Sequence, residues 1–135
     1  MLYSQSGLLG VSGVSADMRR LGQVASGEGD GAQRARFAID LFTHRVVREA
    51  GAMVATLQGL DVLAFSGGIG EHDAGLRARV ALRLGWLGVR LDEAANRAAT
   101  GDAVAAIHAP DSSVEVWVVP TDEGRVAAEE AAKLI

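Results

Sequence analysis

The segment whose residue types are best suited to binding a ligand is a glycine cluster within residues 62–73, where an apolar run ends and polar residues begin. Three glycines fall within residues 67–70, and Glu71, His72 and Asp73 follow them. Glycine lacks a Cβ and tolerates positive φ, so such a turn lets backbone approach a ligand closely. A helix starting there would present unpaired N–H groups to an anion. The pattern predicts strand, glycine turn and helix at a nucleotide or phosphate site, and a tight turn without a ligand remains the alternative.

Two common phosphate-binding loops are excluded by inspection. A Walker A loop needs Gly-Lys-Ser/Thr, but the only lysine of the chain is Lys133, near its end. The dinucleotide fingerprint needs a third glycine three positions after Gly70, and that position holds Asp73. The glycine cluster therefore belongs to a different kind of site.

Composition narrows the class of protein. The chain has 135 residues and a formal net charge of −4, which argues against a nucleic-acid partner. Arg77, Arg79 and Arg83 lie close together, but acidic residues are spread around them. The chain has no cysteine, so disulfides and thiolate metal sites are excluded. Without a signal-peptide pattern or an apolar run of about 18 residues, the sequence predicts a cytoplasmic chain with no membrane partner.

Hydrophobic periodicity predicts alternating helices and strands. Residues 6–14 indicate a loop or short strand, and Ser15 is the predicted N-cap of a helical turn. A long helix with one apolar stripe is predicted over about residues 32–58, with Gly59 as its C-cap residue. Further helices are predicted at residues 74–84, at residues 92–99 with Asp92 as N-cap, and at residues 121–134. Strands are predicted at residues 60–65, 89–91, 104–108 and 114–119, and the first of these is expected to be buried. This alternation is typical of a single α/β layered domain with a small sheet.

Four motifs, in their order and spacing, resemble the acetate kinase family. They are the glycine-rich segment 6–13, residues 15–19, residues 65–71 and residues 119–123. The resemblance covers essentially the whole chain and is to the C-terminal part of that enzyme. It implies an α/β, ribonuclease-H-like fold of the superfamily of actin, sugar kinases and the Hsp70 ATPase. The chain would be a C-terminal half-domain with a small mixed sheet and flanking helices.

The resemblance also implies a function. Acetate kinases move the γ-phosphate of ATP to acetate with Mg²⁺, giving ADP and acetyl phosphate, and close relatives use propionate or butyrate. Residues 1–135 would be one domain, the nucleotide-binding part of a larger two-domain kinase that forms homodimers through this part. The family's substrate pocket and its catalytic Arg, Asp and His have no counterpart here. The resemblance therefore places no catalytic residue in this chain and implies that the chain alone is inactive.

The family's nucleotide contacts carry over to two segments of this sequence. The segment that lies against the nucleotide consists of Asp17, Met18 and Arg19. The loop that holds adenine, ribose and the inner phosphates consists of Gly68, Ile69, Gly70, Glu71 and His72. Glu123 matches the carboxylate associated with Mg²⁺. The sequence departs from the family pattern at His72, where Asn is common, and at Gly124, where a second Glu is common.

A second interpretation comes from a different class of protein. The chain could be a non-catalytic, truncated relative that acts as a dimerisation or protein-interaction module. The upstream coding sequence would distinguish the two interpretations, because only the kinase interpretation needs the missing catalytic groups. The sequence leaves the acyl substrate open between acetate, propionate and butyrate.

Overall fold

The computed structural model describes residues 6–121 and 131–132, which contain helices packed around a small sheet. The helices are α1 (Gly7–Ser12), α2 (Met18–Ala25), α3 (Asp30–Leu57), α4 (Gly67–His72), α5 (Ala74–Arg83) and α6 (Glu93–Ala98). A 3₁₀ turn covers Gly85–Leu87, and the strands are β1 (Val62–Phe65), β2 (Ala105–Ala106) and β3 (Glu115–Val118). No helix in the described ranges is long and apolar enough to cross a membrane.

The sheet has the strand order β1-β3-β2 and is mixed, as predicted. β1 pairs parallel with β3, placing Phe65 opposite Val118, and β2 runs antiparallel to β3. Val116 and Val118 of the central strand are fully buried. The predicted burial of the whole first strand is wrong, since only Phe65 of β1 is buried and Val62 is exposed. β1 has a strand partner on one side only within the described part of the chain.

Two apolar clusters form the core. The larger one joins one face of α5 to the sheet, and its fully buried members include Val80, Leu84 and Ile107. The smaller one packs α2 on the first half of α3, with Met18 and Leu21 at its centre. Phe42 and Ile69 contact both clusters. Ile69 thereby fixes α4 at the junction between the two clusters.

The long helix α3 confirms the predicted apolar stripe in its first part and departs from it at the end. Phe42 and Ala50 pack against the core. At the next position of the stripe, predicted to be Met53 or Val54, Val54 is half-buried and Met53 is exposed, and Leu57 at the end is also exposed. A helix of 28 residues is about 42 Å long, and a four-residue strand spans only about 13 Å. The end of α3 therefore extends past the sheet. The C-cap also differs from the prediction, because Gln58 rather than Gly59 adopts the left-handed conformation.

The first predicted loop is a helix, and the predicted N-cap is displaced by two residues. Residues 6–14 were expected to form a loop or strand, but most of them form α1, which ends at Gly13 with a φ of 62°. Leu8 packs against the smaller cluster, and this contact outweighs the low helix propensity of glycine. Asp17, not Ser15, caps α2, and the Ser15 hydroxyl accepts a hydrogen bond from Asp17 N instead.

The shorter predicted elements are confirmed unevenly. α5 and α6 lie where they were predicted, and Asp92 caps α6 by accepting hydrogen bonds from two backbone N–H groups. The predicted strand at residues 89–91 is reduced to one isolated bridge between Leu91 and His108. Of the predicted last helix, only residues 131–132 are described, and they are helical. Glu123 lies outside the described residues.

Candidate nucleotide site

The chain turns sharply from β1 into α4. Ser66 is extended, Gly67 has a φ of 73°, and the helix begins at Gly67 rather than at Ala74 as predicted. The predicted glycine turn is therefore mostly helix, and among its glycines only Gly67 needs positive φ. A Cβ at Gly70 would lie 3.4 Å from the carbonyl carbon of Phe65, whereas one at Gly68 would meet nothing within 4 Å. Gly70 permits close packing on β1, and Gly68 leaves space open.

That open space belongs to a cavity of about 310 Å³ between the N-terminal end of α2 and one side of α4. The cavity is lined by Ala16, Asp17, Met18, Arg19, Gly68, Ile69, His72 and Asp73. Six of the eight residues predicted to contact the nucleotide are in this lining. The other two are Gly70, which faces β1, and Glu71, whose side chain is buried. Two motifs far apart in sequence thus meet at one cavity.

The α2 wall of the cavity carries exposed charge. Met18 is buried in the smaller cluster and anchors this wall. The Asp17 carboxylate accepts a 2.8 Å hydrogen bond from Arg19 N, and the Arg19 guanidinium lies 3.7 Å from the same oxygen. The side chain of Arg19 is 82% exposed, so its charge and planar donors remain accessible to a ligand.

The α4 wall is held from behind by Arg77, which is fully buried. Its Nη1 donates to the carbonyl oxygens of Gly70, at 2.9 Å, and Glu71, at 2.7 Å, which lie near the end of α4. Burial lowers the pKa of the Arg77 guanidinium, and the charge of Asp73 raises it. An arginine remains charged at neutral pH even so. A positive charge at a helix C-terminus also suits the helix dipole.

The same guanidinium joins α4 to α6. Arg77 Nε donates to the side-chain oxygen of Asn96 at 2.7 Å, and Nη2 donates to the carbonyl oxygens of Asn96 and Ala99. The Asn96 amide in turn donates to Ala74 O at the start of α5. One buried cation therefore satisfies carbonyl groups at the ends of two short helices.

His72 forms part of the cavity and is oriented by the loop after α6. Its Nδ1 lies 2.6 Å from Thr100 O. A carbonyl only accepts, so this contact assigns the proton to Nδ1 and leaves Nε2 as an acceptor in the neutral ring. Gly101, with a φ of 88°, packs against the ring, and a Cβ there would lie 2.7 Å from His72 Cε1. The ring is fixed on one side and exposed on the other.

Glu71 points away from the cavity lining. Its side chain is nearly buried, and Oε1 accepts hydrogen bonds from Gly67 N at 2.8 Å, Thr121 N at 2.9 Å and Thr121 Oγ1 at 2.8 Å. The hydrogen bonds from Thr121, and then that from Gly67, hold the pKa of Glu71 below its ordinary value, while burial opposes them. His72 Nε2 lies 4.0 Å from the other carboxylate oxygen and lowers the pKa further.

A metal-binding cluster is not present within residues 6–121 and 131–132, where no three His, Asp or Glu side chains come together. Asp17 and Asp73 are the carboxylates of the cavity lining, and each caps a helix. Mg²⁺ in nucleotide sites is commonly held by one or two carboxylates together with phosphate oxygens. The described residues are compatible with that arrangement and do not form a protein-only metal site.

Two charged side chains of this region, Asp73 and Arg77, were absent from the predicted set. Asp73 lines the cavity, and its carboxylate accepts a hydrogen bond from Leu76 N at 2.8 Å. An Asp directly before a helical pattern is an N-cap signal that could have identified it. Arg77 was grouped with two surface arginines, but it shares the spacing of Val80, Ala81 and Leu84 on the buried face of α5. That position on an apolar stripe was the available signal.

Comparison with known proteins identifies the family. The model of the acetokinase family matches residues 1–129. The chain belongs to the acetokinase family. An acetate kinase of Rhodopseudomonas palustris is 48% identical over 128 residues, which cover 95% of this chain and 30% of the relative. The chain spans about a third of the length of the curated relatives that it matches.

Solved structures agree with this assignment. The acetate kinase of Entamoeba histolytica superposes with a TM-score of 0.90 at 30% identity, covering 98% of this chain and 34% of that one. A propionate kinase of Francisella tularensis superposes with a TM-score of 0.82 at 34% identity, covering 96% of this chain and 32% of that one. The predicted α/β fold class of this kinase superfamily is confirmed.

Proposed function

We propose that residues 1–135 form one domain, the C-terminal nucleotide-binding part of a two-domain short-chain carboxylate kinase. The observation that carries this proposal is the meeting of residues 17–19 and residues 68–72 at one cavity, since the family resemblance assigns both segments to the nucleotide. In the complete enzyme, ATP would phosphorylate acetate or propionate. Both acids occur in the names of similar kinases.

The cavity offers suitable groups for ATP or ADP. Gly68 leaves room for close approach to the backbone of α4. The exposed Arg19 guanidinium suits a phosphate or a flat base, and the His72 ring, whose Nδ1 is bound to Thr100 O, offers Nε2 to a ligand. Mg²⁺, held by phosphate oxygens and by Glu123, would neutralise charge on the transferred phosphoryl group. The role of Glu123 rests on the family resemblance alone.

The chain by itself is proposed to lack kinase activity. Phosphoryl transfer depends on positioning and charge stabilisation by several groups. The family's catalytic Arg, Asp and His lie in sequence that the chain does not contain. A coupled assay with acetate, ATP and Mg²⁺ tests this proposal, and sustained acetyl phosphate formation by the purified chain would contradict it.

Binding of ADP is the direct test of the proposed site. We expect a dissociation constant in the millimolar range, equivalent to about −4 kcal/mol, because part of the nucleotide cleft is missing. ADP should shift the amide NMR signals of Arg19, Gly68 and His72. Gly68→Val should abolish these shifts by filling the open space, whereas Gly31→Val, near the start of α3 and also unobstructed, should not. Shifts that survive Gly68→Val would contradict the assignment.

Self-association is a second candidate function, favoured by an apolar surface on α1 and α3. A groove of about 320 Å³ runs between these helices, and Val11, Phe37 and Leu41 are exposed on or beside it. Exposed apolar patches of this kind mark contact surfaces. We expect a dimer by light scattering and a monomer for Phe37→Glu. A monomeric wild-type chain at high concentration would contradict this candidate.

The cytoplasmic location remains a prediction from the sequence.

A further inference from the structure

Glu71 connects two parts of the molecule that the family resemblance treats as separate. One carboxylate oxygen receives three hydrogen bonds, from Gly67 N at the start of α4 and from both donors of Thr121. The side chain is only 9% exposed. Carboxylates bound by several donors form some of the strongest hydrogen bonds in proteins. This contact therefore ties the turn before Gly68 to Thr121.

The sheet brings Thr121 to this place. β1 and β3 are parallel, so their carboxyl ends lie side by side, and Val119 N donates to Phe65 O at 2.9 Å just beyond the last paired residues. The chain leaves β1 into α4 and leaves β3 toward Thr121 at the same edge. The Glu71 carboxylate joins these two exits directly.

The short length of α4 makes such a link important. A helix of six residues is unstable without tertiary contacts. Arg77 holds the carbonyl groups near the end of α4, and Glu71 holds the first N–H group, Gly67 N. The titratable and charged groups that face Glu71 are the His72 ring, with Nε2 at 4.0 Å, and Arg77, which donates to the Glu71 carbonyl. Arg77 and Glu71 thus bind backbone at opposite ends of α4.

We propose that Glu71 is a positioning residue that couples nucleotide binding at Gly68 to the placement of Thr121. The inference rests on the proposed function, because it concerns the same cavity. Glu123, the carboxylate that the family resemblance associates with Mg²⁺, follows Thr121 by two positions in the sequence. Glu71 would act through Thr121, because its carboxylate binds Thr121 and is not part of the cavity lining.

The test is an ADP titration of the full 135-residue chain, followed by amide NMR with and without Mg²⁺. In the wild type, ADP should shift the signals of Gly68 and Thr121 together, and Mg²⁺ should strengthen binding. In Glu71→Ala, the response of residue 121 and the Mg²⁺ effect should be lost while Gly68 still responds. Thr121→Val should weaken the coupled response, and Thr121→Ser, which keeps the hydroxyl donor, should restore it.

The outcomes separate this inference from the proposed function. If Gly68 responds to ADP in the wild type but Thr121 does not, the coupling is overturned and the nucleotide site stands. An equal loss at Gly68 and residue 121 in Glu71→Ala, with the dispersed spectrum of a folded chain, would show a purely structural role and overturn the coupling. If neither residue responds in the wild type, the proposed site and the coupling are both overturned.

Discussion

The two walls of the cavity are held by contacts of different kinds. The α4 wall is supported by two nearly buried charged side chains, Arg77 and Glu71, which bind backbone at opposite ends of the helix. The α2 wall depends on the buried side chain of Met18 and on the cap made by Asp17. Its arginine, Arg19, is largely exposed.

This difference indicates that the two walls contribute to ligand binding in different ways. A wall held by several buried hydrogen bonds keeps its shape before a ligand arrives, and such preorganisation lowers the entropic cost of binding. An exposed arginine can change rotamer and follow a phosphate or a base at little cost in stability. We infer that α4 supplies the shape of the site and α2 supplies adjustable charge.

The largest effect is expected from removing the support of the α4 wall. Arg77→Met should lower the free energy of unfolding by about 3–5 kcal/mol, because five acceptor atoms in the interior lose their donor. Arg79→Met is the matched control on the same helix. Arg79 is half exposed, and its ion pair with Asp40, at 3.6 Å, is screened by solvent. Its replacement should therefore lower the free energy of unfolding by less than about 1 kcal/mol. Urea unfolding that gives similar losses for both variants would refute the buried role of Arg77.

The next largest effects are expected from two glycines, Gly101 beside the α4 wall and Gly22 within the α2 wall. Gly101→Ala should cost about 1–3 kcal/mol, since its Cβ would collide with the His72 ring and its φ is 88°. Gly22→Ala, inside α2 with nothing within 4 Å, should stabilise the chain by about 0.5–1 kcal/mol. Thermal unfolding midpoints should move in opposite directions. Movement in the same direction would show that the α4 wall is not closely packed against the loop.

The cap of the α2 wall should have a moderate effect. Asp17→Ala removes the acceptor for Arg19 N and should cost about 1 kcal/mol, whereas Asp17→Asn should be nearly neutral because asparagine also caps well. Urea unfolding of the two variants measures the difference. Equal destabilisation by both would indicate that the charge of Asp17, rather than its cap, holds the wall.

Acidification should loosen the α4 wall through Glu71. The folded-state pKa of Glu71 lies below its ordinary value of 4.5, so its contribution is complete above that value. The contribution is lost as the pH falls through the folded-state pKa, when the carboxylate binds a proton. Hydrogen exchange at Gly67 and Thr121 should therefore lose protection at acidic pH in the wild type. In Glu71→Gln this pH dependence should be absent, and its persistence would assign the effect to another group.

Sequence reasoning succeeded where a pattern is local and long. The first part of the apolar stripe of α3 and the cap at Asp92 are determined by nearby residues, and both lie at the predicted places. It failed at α1, where contacts of Leu8 with a distant helix outweigh the glycines. Hydrophobic periodicity also cannot identify the hydrogen-bond partners of Arg77, because the carbonyl groups that accept from Arg77 belong to other helices, at the ends of α4 and α6.

The candidate site was likewise predicted only in part from the sequence. The residue types of both cavity walls were named from motifs, and the structure places six of those residues at one cavity. The motif could not tell which residues of α4 face the cavity and which face the interior. That distinction depends on the helix beginning at Gly67, which set Gly70 against β1 and Glu71 against Thr121.

Intermolecular nuclear Overhauser effects between ADP protons and the chain test most directly whether α2 and α4 form one nucleotide site. We expect contacts from one bound nucleotide to both walls, at Arg19 on α2 and at Gly68 and His72 on α4. A larger cavity of about 470 Å³ between α5 and α6, lined in part by Leu82 and Val89, provides the natural alternative. Contacts confined to that cavity, or to one wall alone, would contradict the claim that α2 and α4 form one nucleotide site.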